Sequence, residues 1–228
     1  MKKALFFVIL ILAFTFTPLS AIGGLGLQLG QGTYTVASTT DQDQNGLITV
    51  TTGEFNNPLN LGFYLYLDII PVVDFEADVQ ITASEYNFEF NNALGTAGPY
   101  DAFWGGASTY LTLRKEIFGL GIPFLGGGSI FAGGGYNIHS YAPLADLSLV
   151  ESLMGNLTDE PTFSEDELID FVKENKIDKT GFHFQAGFQF KLLMIDTFIF
   201  YRQTLGKFDN IVGNDSFGTF NIRFGLGI

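Results

Sequence analysis

The sequence predicts an all-β fold: a transmembrane, antiparallel, up-and-down β-barrel of about eight strands with a helical extracellular loop. Three observations lead there. Repeated segments alternate large apolar residues with polar or small ones, a period of two that gives a strand two unlike faces. After the leader no stretch approaches the ~18 to 20 continuous apolar residues of a membrane helix. One polar face carries the carboxylates Asp74, Glu76 and Asp78 at three successive same-face positions, which a soluble hydrophobic core would not accept unless they were paired.

Composition narrows the classes further. Among 228 residues there are 25 Phe and 28 Gly, with only 15% charged, too apolar for a disordered chain and too glycine-rich for a helical one. The net charge of −13, without any cluster of Lys and Arg, argues against nucleic acid as a partner. Cysteine is absent, so neither disulfides nor a lipidated cysteine enters the design.

The chain opens with a predicted export signal over residues 1–21: Lys2 and Lys3, an apolar run from Ala4 to Phe16, and a break from Pro18 to Ala21. Residues 22–228 form the predicted barrel. Leu25, Leu27 and Leu29 share one face against Gly24, Gly26, Gln28 and Gly30. A polar run from Thr33 to Glu54 holds Asn45-Gly46, a hairpin signal, and reads as two strands continuing past the membrane edge. Leu59, Leu61, Phe63, Leu65 and Leu67 then alternate with Asn60, Gly62, Tyr64, Tyr66 and Asp68. After a short turn at Pro71, Val73, Phe75, Ala77, Val79 and Ile81 alternate with Asp74, Glu76, Asp78, Gln80 and Thr82.

Turn residues at Asn91-Asn92, Gly95 and Gly98-Pro99 predict a loop over 85–103. A strand follows from Trp104 to about Lys115, with Ser108, Tyr110, Thr112 and Arg114 inward. A turn over Gly119 to Pro123 leads to a strand ending near His139, with Asn137 and His139 inward. Residues 140–181 break the pattern. Leu147, Val150, Leu153 and Met154 keep helical spacing, and Ser164-x-x-Glu167 opens a second helix through Phe171 and Val172. Ten acids against Lys173, Lys176 and Lys179 make this the acidic segment of the chain. Alternation returns from Phe182 to Phe190, again from Thr197 to Leu205 with Phe198, Phe200 and Arg202 inward, and finally from Phe217 to Ile228. In that last stretch Phe220, Ile222, Phe224, Leu226 and Ile228 oppose Thr219, Asn221 and Arg223, the pattern of a strand that closes on the first.

These residues together resemble the small eight-stranded outer-membrane barrels of the OmpA/OmpX/OmpW-like superfamily. The terminal Phe224-x-Leu226-x-Ile228 is similar to the signal by which such barrels are recognised for assembly, although it ends on Ile rather than Phe. The resemblance implies the outer membrane of a Gram-negative-type bacterium, with lipid, lipopolysaccharide and the barrel assembly machinery as partners.

Three groups of residues are candidates for function. Asp74, Glu76 and Asp78 face Arg114, Lys191, Arg202 and Arg223 at comparable depths, a self-neutralising lumen plug or, alternatively, a gate. Tyr64, Tyr66 and Tyr110 could line a small cavity for an apolar ligand. His139 and His183 flank the acidic segment at the expected mouth, where metal binding or, with Ser140, hydrolysis is weighed against ordinary rim residues. No motif for a cofactor is present, since none of the Gly runs precedes a helix as a phosphate-binding turn does. The reading is a non-enzymatic barrel with a structural or surface-interaction role, displaying the acidic helical segment to a surface protein or other partner. A passive channel or binding barrel for small apolar solutes is the second reading, and an envelope lipid hydrolase the third.

Overall fold

A computed structural model describes residues 23–70, 72–122, 125–154 and 165–227. The predicted export signal, the Ser164 cap and Ile228 lie outside them. In chain order the elements are β1 (Gly23–Gly32), β2 (Thr35–Val36), β3 (Thr39–Gln42), β4 (Thr49–Thr52), β5 (Phe55–Asn56), β6 (Leu59–Ile70), β7 (Val73–Asn92), β8 (Gly95–Ile122) and β9 (Gly126–Tyr141). Then come helices α1 (Leu147–Met154) and α2 (Glu165–Asn175), strands β10 (Ile177–Leu192) and β11 (Ile195–Gly206), helix α3 (Asp209–Val212) and strand β12 (Ser216–Gly227).

Eight of these strands form a closed ring in the order β7-β6-β1-β12-β11-β10-β9-β8, with β8 pairing back to β7. The first and last strands meet as the sequence pattern requires, Leu25 opposite Leu226, Leu27 opposite Phe224 and Leu29 opposite Ile222. Closure leaves no free edge along the seam, which is how strands cross a medium that cannot hydrogen-bond to backbone.

The facing follows the period of two. Phe63 is 70% exposed, Phe184 61% and Phe224 54%, whereas Glu76 and Arg223 are both fully buried. Apolar groups therefore surround the ring and charges fill it, the reverse of a soluble barrel and the arrangement that lipid selects.

Along β7 that polarity inverts. Below Ser84 the outward row is Val79, Ile81 and Ala83, and the inward row is Glu76, Asp78, Gln80 and Thr82. Above it the outward row becomes Glu85, Asn87 and Glu89, while Tyr86, Phe88 and Phe90 turn inward and are buried. The membrane edge therefore lies near residue 84. From Val73 to Ala83 a tilted strand climbs about 25 Å, the height of the apolar band of such barrels.

This inversion corrects the loop expected over 85–103. The chain there is a hairpin that continues β7 and β8 past the membrane to a turn at Ala93-Leu94, with Phe88 opposite Tyr100 and Glu85 opposite Phe103. The turn-forming glycines are present, but Gly95 and Gly98 take positive φ within the hairpin. At the opposite end β8 runs on to Ile122 instead of ending near Lys115, paired to β9 with Phe118 opposite Ile130 and Ile122 opposite Gly126. The extra segment, Phe118-Gly-Leu-Gly-Ile122, repeats residue for residue the chain's last five, Phe224 to Ile228. That repeat is the signal in the sequence that this stretch is strand.

The polar run after β1 folds as expected into strands beyond the membrane, with β3 and β4 paired and β4 added to the outer half of β7. Its turn spans Asp43 to Ile48, wider than a two-residue Asn-Gly hairpin. The Asp43 carboxylate accepts the amides of Leu47 (2.8 Å) and Ile48 (2.9 Å), and Gly46 has φ +67°. Those backbone donors, Ile48 first, hold the Asp43 carboxyl below its ordinary value.

Candidate functional site

The barrel interior is built by the inward parity of each strand, and its centre is a charge cluster. Asp78 sits between two arginines, Arg202 at 2.7 Å and Arg223 at 2.8 Å. Glu76 lies 2.7 Å from Arg223, 3.7 Å from Arg114 and 3.9 Å from Arg202, while Arg114 pairs with Asp74 at 2.8 Å. Three carboxylates thus meet three guanidiniums, and the cluster is formally neutral.

Amides supply hydrogen bonds that ion pairs alone leave open. Gln185 accepts from Arg202 Nε (3.0 Å) and Nη2 (2.8 Å) and donates to Glu76 (2.9 Å). Gln28 accepts from Arg223 Nε (2.6 Å) and donates to Gln80 (2.8 Å) and Asn221 (3.1 Å). Sequence reasoning placed these glutamines inward but missed their role, Gln185 joining Arg202 to Glu76 and Gln28 joining Arg223 to Gln80 and Asn221. Lys191 stands apart from the cluster to which it was assigned: among the described residues it makes no ion pair, and its ammonium lies 5.5 Å from the centre of the Tyr66 ring. It is one strand end away, where β10 turns into β11, too low to reach Glu76.

Aromatic rings close the space around the charges. Tyr64, Tyr66, Phe131, Phe198 and Phe200 form one buried cluster. The arginines lie over these rings, Arg223 at 4.7 Å from Tyr64 and Arg114 at 4.9 Å from Tyr66. Tyr66 also donates to the buried Asp196. Tyr110 belongs to a different level, under the Arg202 guanidinium at 3.9 Å. The three tyrosines therefore do not line a shared cavity. They are packed against charges, because an eight-stranded ring is only wide enough for its own side chains.

His139 and His183 are likewise not at an open mouth. Both are fully buried, on either side of the Tyr110 ring at 5.4 and 5.1 Å. His183 Nε2 contacts the Thr112 hydroxyl at 2.8 Å. The serine beside His139 in space is Ser108, 2.7 Å from Nδ1, and not Ser140, whose place on β9 has the outward parity. No carboxylate reaches the other nitrogen of His139, which has no hydrogen-bond partner among the described residues, so the Ser–His pair lacks the group that would orient a base. Among the described residues no three His, Asp or Glu side chains gather as metal ligands.

Above the histidines the barrel is capped. Trp104 stacks on Tyr141 at 5.0 Å, Phe208 meets Phe217 at 5.1 Å and His139 at 5.0 Å, and these rings join Val36, Val50, Phe55, Phe90, Ile211 and Val212 in one buried apolar cluster. Helix α1 adds Leu149 and Val150 to it. Asp146 caps that helix through the Leu149 amide (2.8 Å), and Asp41 of β3 accepts the Leu147 amide (3.0 Å), fixing helix to hairpin. Tyr86 accepts the Ala145 amide at 3.1 Å, a second tie. Both helices expected between Ser140 and Gly181 are present, with Leu147 and Phe171 packed against the cap.

A ring of paired strands, an apolar exterior and a filled polar interior decide the architecture. The chain is a closed eight-stranded membrane barrel. No family model matches the sequence, and no curated protein does. Among solved structures it is similar to Ail, the attachment invasion locus protein of Yersinia pestis, in complex with the heparin analogue sucrose octasulfate. There the identity is 12%, the TM-score 0.42, and the match covers 90% of this chain and 96% of that chain. The N-terminal β-barrel domain of Pseudomonas aeruginosa OprF gives 8% identity and a TM-score of 0.39, over 89% of this chain and 98% of that chain. The outer membrane protease OmpT from Escherichia coli gives 10% and 0.34, over 92% and 96%. At these values the likeness adds nothing on function, and the fold assignment rests on the barrel's own strand register.

Proposed function

We propose that the protein is a non-conducting barrel of a Gram-negative-type outer membrane, whose work is to hold a folded, acidic cap at the extracellular surface as an interaction platform. The observation that carries this reading is the double seal of the lumen. Arg114, Arg202 and Arg223 are buried in carboxylate and aromatic contacts across the whole bore, and a separate apolar cluster covers its loop end. A conduit needs a wetted path, and both layers oppose one. The segment between β9 and β10 bears the excess of acids and would face the surroundings, where a basic protein surface or divalent cations bridging to lipopolysaccharide fit its charge.

Planar-bilayer recording of the refolded mature chain tests the seal: no discrete conductance steps are expected, and stable steps at neutral pH would restore the channel reading. The platform is tested by deleting residues 146–179 and measuring attachment of whole cells or vesicles to candidate surfaces. Attachment should fall while the barrel still inserts; unchanged attachment removes the role from this segment.

A further inference from the structure

Strand β8 outruns its neighbour at the short-turn end of the barrel. Its last partner on β7 is Asp74, opposite Arg114, and β7 begins just beyond, at Val73. β8 continues to Ile122 and is paired there to β9 alone, from Lys115 opposite Ala132 to Ile122 opposite Gly126. At the other junctions of this end the strands finish nearly level: Gly126 stands opposite Leu192, Ile195 opposite Leu226 and Gly23 opposite Leu67. The side of β8 turned away from β9 is therefore an open edge. Among the described residues no turn or loop bonds to its backbone between Glu116 and Gly121.

Such an edge carries a row of free N–H and C=O groups, and proteins ordinarily guard it with charge, proline or a covering loop. Here only Lys115 and Glu116 are charged, at its upper end. The rest is Ile117, Phe118, Leu120 and Ile122 with two glycines, every residue exposed, Leu120 by 70% and Ile122 by 65%. Hydrocarbon does not tolerate unpaired backbone, and water does not favour a bare apolar row, so in either medium a further strand stabilises this edge. The chain itself shows which strand such a sequence accepts. Phe118-Gly-Leu-Gly-Ile122 recurs as the last five residues, and at the barrel seam Phe224 faces Leu27, Gly225 faces Gly26, Leu226 faces Leu25 and Gly227 faces Gly24. Apolar groups meet on the outer face there and glycines on the inner. A Cβ on Gly26 would lie 2.5 Å from the Gly225 Cα, so the pairing selects glycine between the apolar residues.

We propose that the β8 edge from Lys115 to Ile122 is a strand-docking site on the periplasmic side, which takes an extended segment of a periplasmic protein whose apolar residues alternate with glycine. The segment runs antiparallel to β8, in the place β7 would fill if it began below Val73, and repeats the register of the seam: leucine against Leu120, glycines against Gly119 and Gly121. A second copy of the barrel does not fit this edge. Antiparallel pairing of the edge with itself runs about a two-fold axis normal to the sheet, hence in the membrane plane, and would turn one barrel upside down. The site is independent of the extracellular cap and its platform role.

The probe is a synthetic peptide with the sequence of residues 23–31, added to the refolded mature chain in detergent. Hydrogen exchange should find amides of 116–122 fast in the free barrel and slowed by the peptide, while those of 107–113, paired to β7, are slow throughout. The chain has no cysteine, so single cysteines report the register. Leu120→Cys should form a disulfide with a peptide carrying Leu25→Cys, and Phe118→Cys with one carrying Leu27→Cys; the crossed combinations should not. Leu120→Lys should weaken binding by about fivefold, the worth of one cross-strand apolar pair, and a peptide with Gly24→Val and Gly26→Val should not bind. Trp104 fluorescence confirms that each variant is folded. Slow exchange at 116–122 in the free barrel, disulfides without regard to register, or equal binding of the valine peptide overturns the proposal. So does linkage of the peptide to Leu226→Cys in place of Leu120→Cys, which would be strand exchange at the seam. Failure of the barrel reading has a different signature: the amides of 107–113 would exchange fast as well.

Discussion

Removing Arg202 is the sharpest probe of the interior. Its guanidinium donates to both oxygens of Asp78 (3.1 and 2.7 Å) and twice to Gln185, and it lies over Tyr110. Arg202→Met keeps much of the volume but leaves Asp78 with Arg223 alone and tips the cluster to three carboxylates against two arginines. Breaking a fully desolvated pair in this way costs about 3–5 kcal/mol, because the surviving charge keeps its desolvation penalty and loses its partner. Asp78→Asn should cost a similar amount from the other side. The double variant restores neutrality, so its cost should fall short of the sum of the singles by roughly 2–3 kcal/mol. Equilibrium urea unfolding in phospholipid vesicles gives the measurement. The single tryptophan, Trp104, is buried against Tyr141 and reports on the cap where it joins the barrel, while circular dichroism reports on the ring. Single-variant costs below about 1 kcal/mol, the worth of an exposed pair, would mean that water solvates the cluster and that the lumen is open. Strict additivity would refute the coupling.

Three other outcomes follow from the same geometry. Phe184→Lys, in the middle of the outward row of β10, should destabilise the inserted barrel by about 2–4 kcal/mol, whereas Glu85→Lys just above the polarity switch should be nearly neutral; both are read by the same unfolding assay. Val150→Asp buries a carboxylate among apolar groups of the cap, so helix α1 should detach, and limited proteolysis should cut between residues 142 and 176 while the strands stay intact. Protection at the β3–β4 turn should depend on pH in one direction only. The Asp43 carboxyl is held below its unfolded value by the amides it accepts, so its contribution is present above about pH 4 and is lost as the pH falls through the lower folded value. Amide exchange at Leu47 and Ile48 should quicken over that range, and a pH-independent ratio to neighbouring amides would sink the assignment.

What the sequence disclosed depended on periodicity. Where lipid lies outside and paired charge inside, alternation is enforced at every position, and the facing of β1, β6, β7, β10 and β12 could be read directly from Leu25, Phe63, Glu76, Phe184 and Arg223. The pairing of arginines with acids was also legible as a class, since three same-face carboxylates need partners. Its details were not: Lys191 has the right charge and parity but sits at the wrong height, and height depends on the stagger between strands, which no single strand encodes. The histidines were misplaced for a related reason. His139 and His183 sit close to the ends of the regular alternation, and only the packing of Trp104, Tyr141, Phe208 and Phe217 above them shows that the interior continues. Glycine and proline near residues 95–99 suggested a loop because turn chemistry was weighed above the alternation of Tyr86, Phe88 and Phe90, which persists with its polarity reversed.

That reversal explains why one chain can hold two kinds of core. Below Ser84 the medium outside the strand is hydrocarbon, so apolar side chains gain little by turning inward, and the ring is held by its backbone ladder and by charges satisfied by one another and by the buried amides of Gln28 and Gln185. Above Ser84 the medium is water, and the same strand gains by burying Phe88 and Phe90 and exposing Glu85 and Glu89. A period of two has no means of moving both rows across the sheet at once except by exchanging their chemistry, and β7 does this without a bulge between Asp74 and Phe88. The cap therefore inherits its position from the barrel's register and its cohesion from the hydrophobic effect.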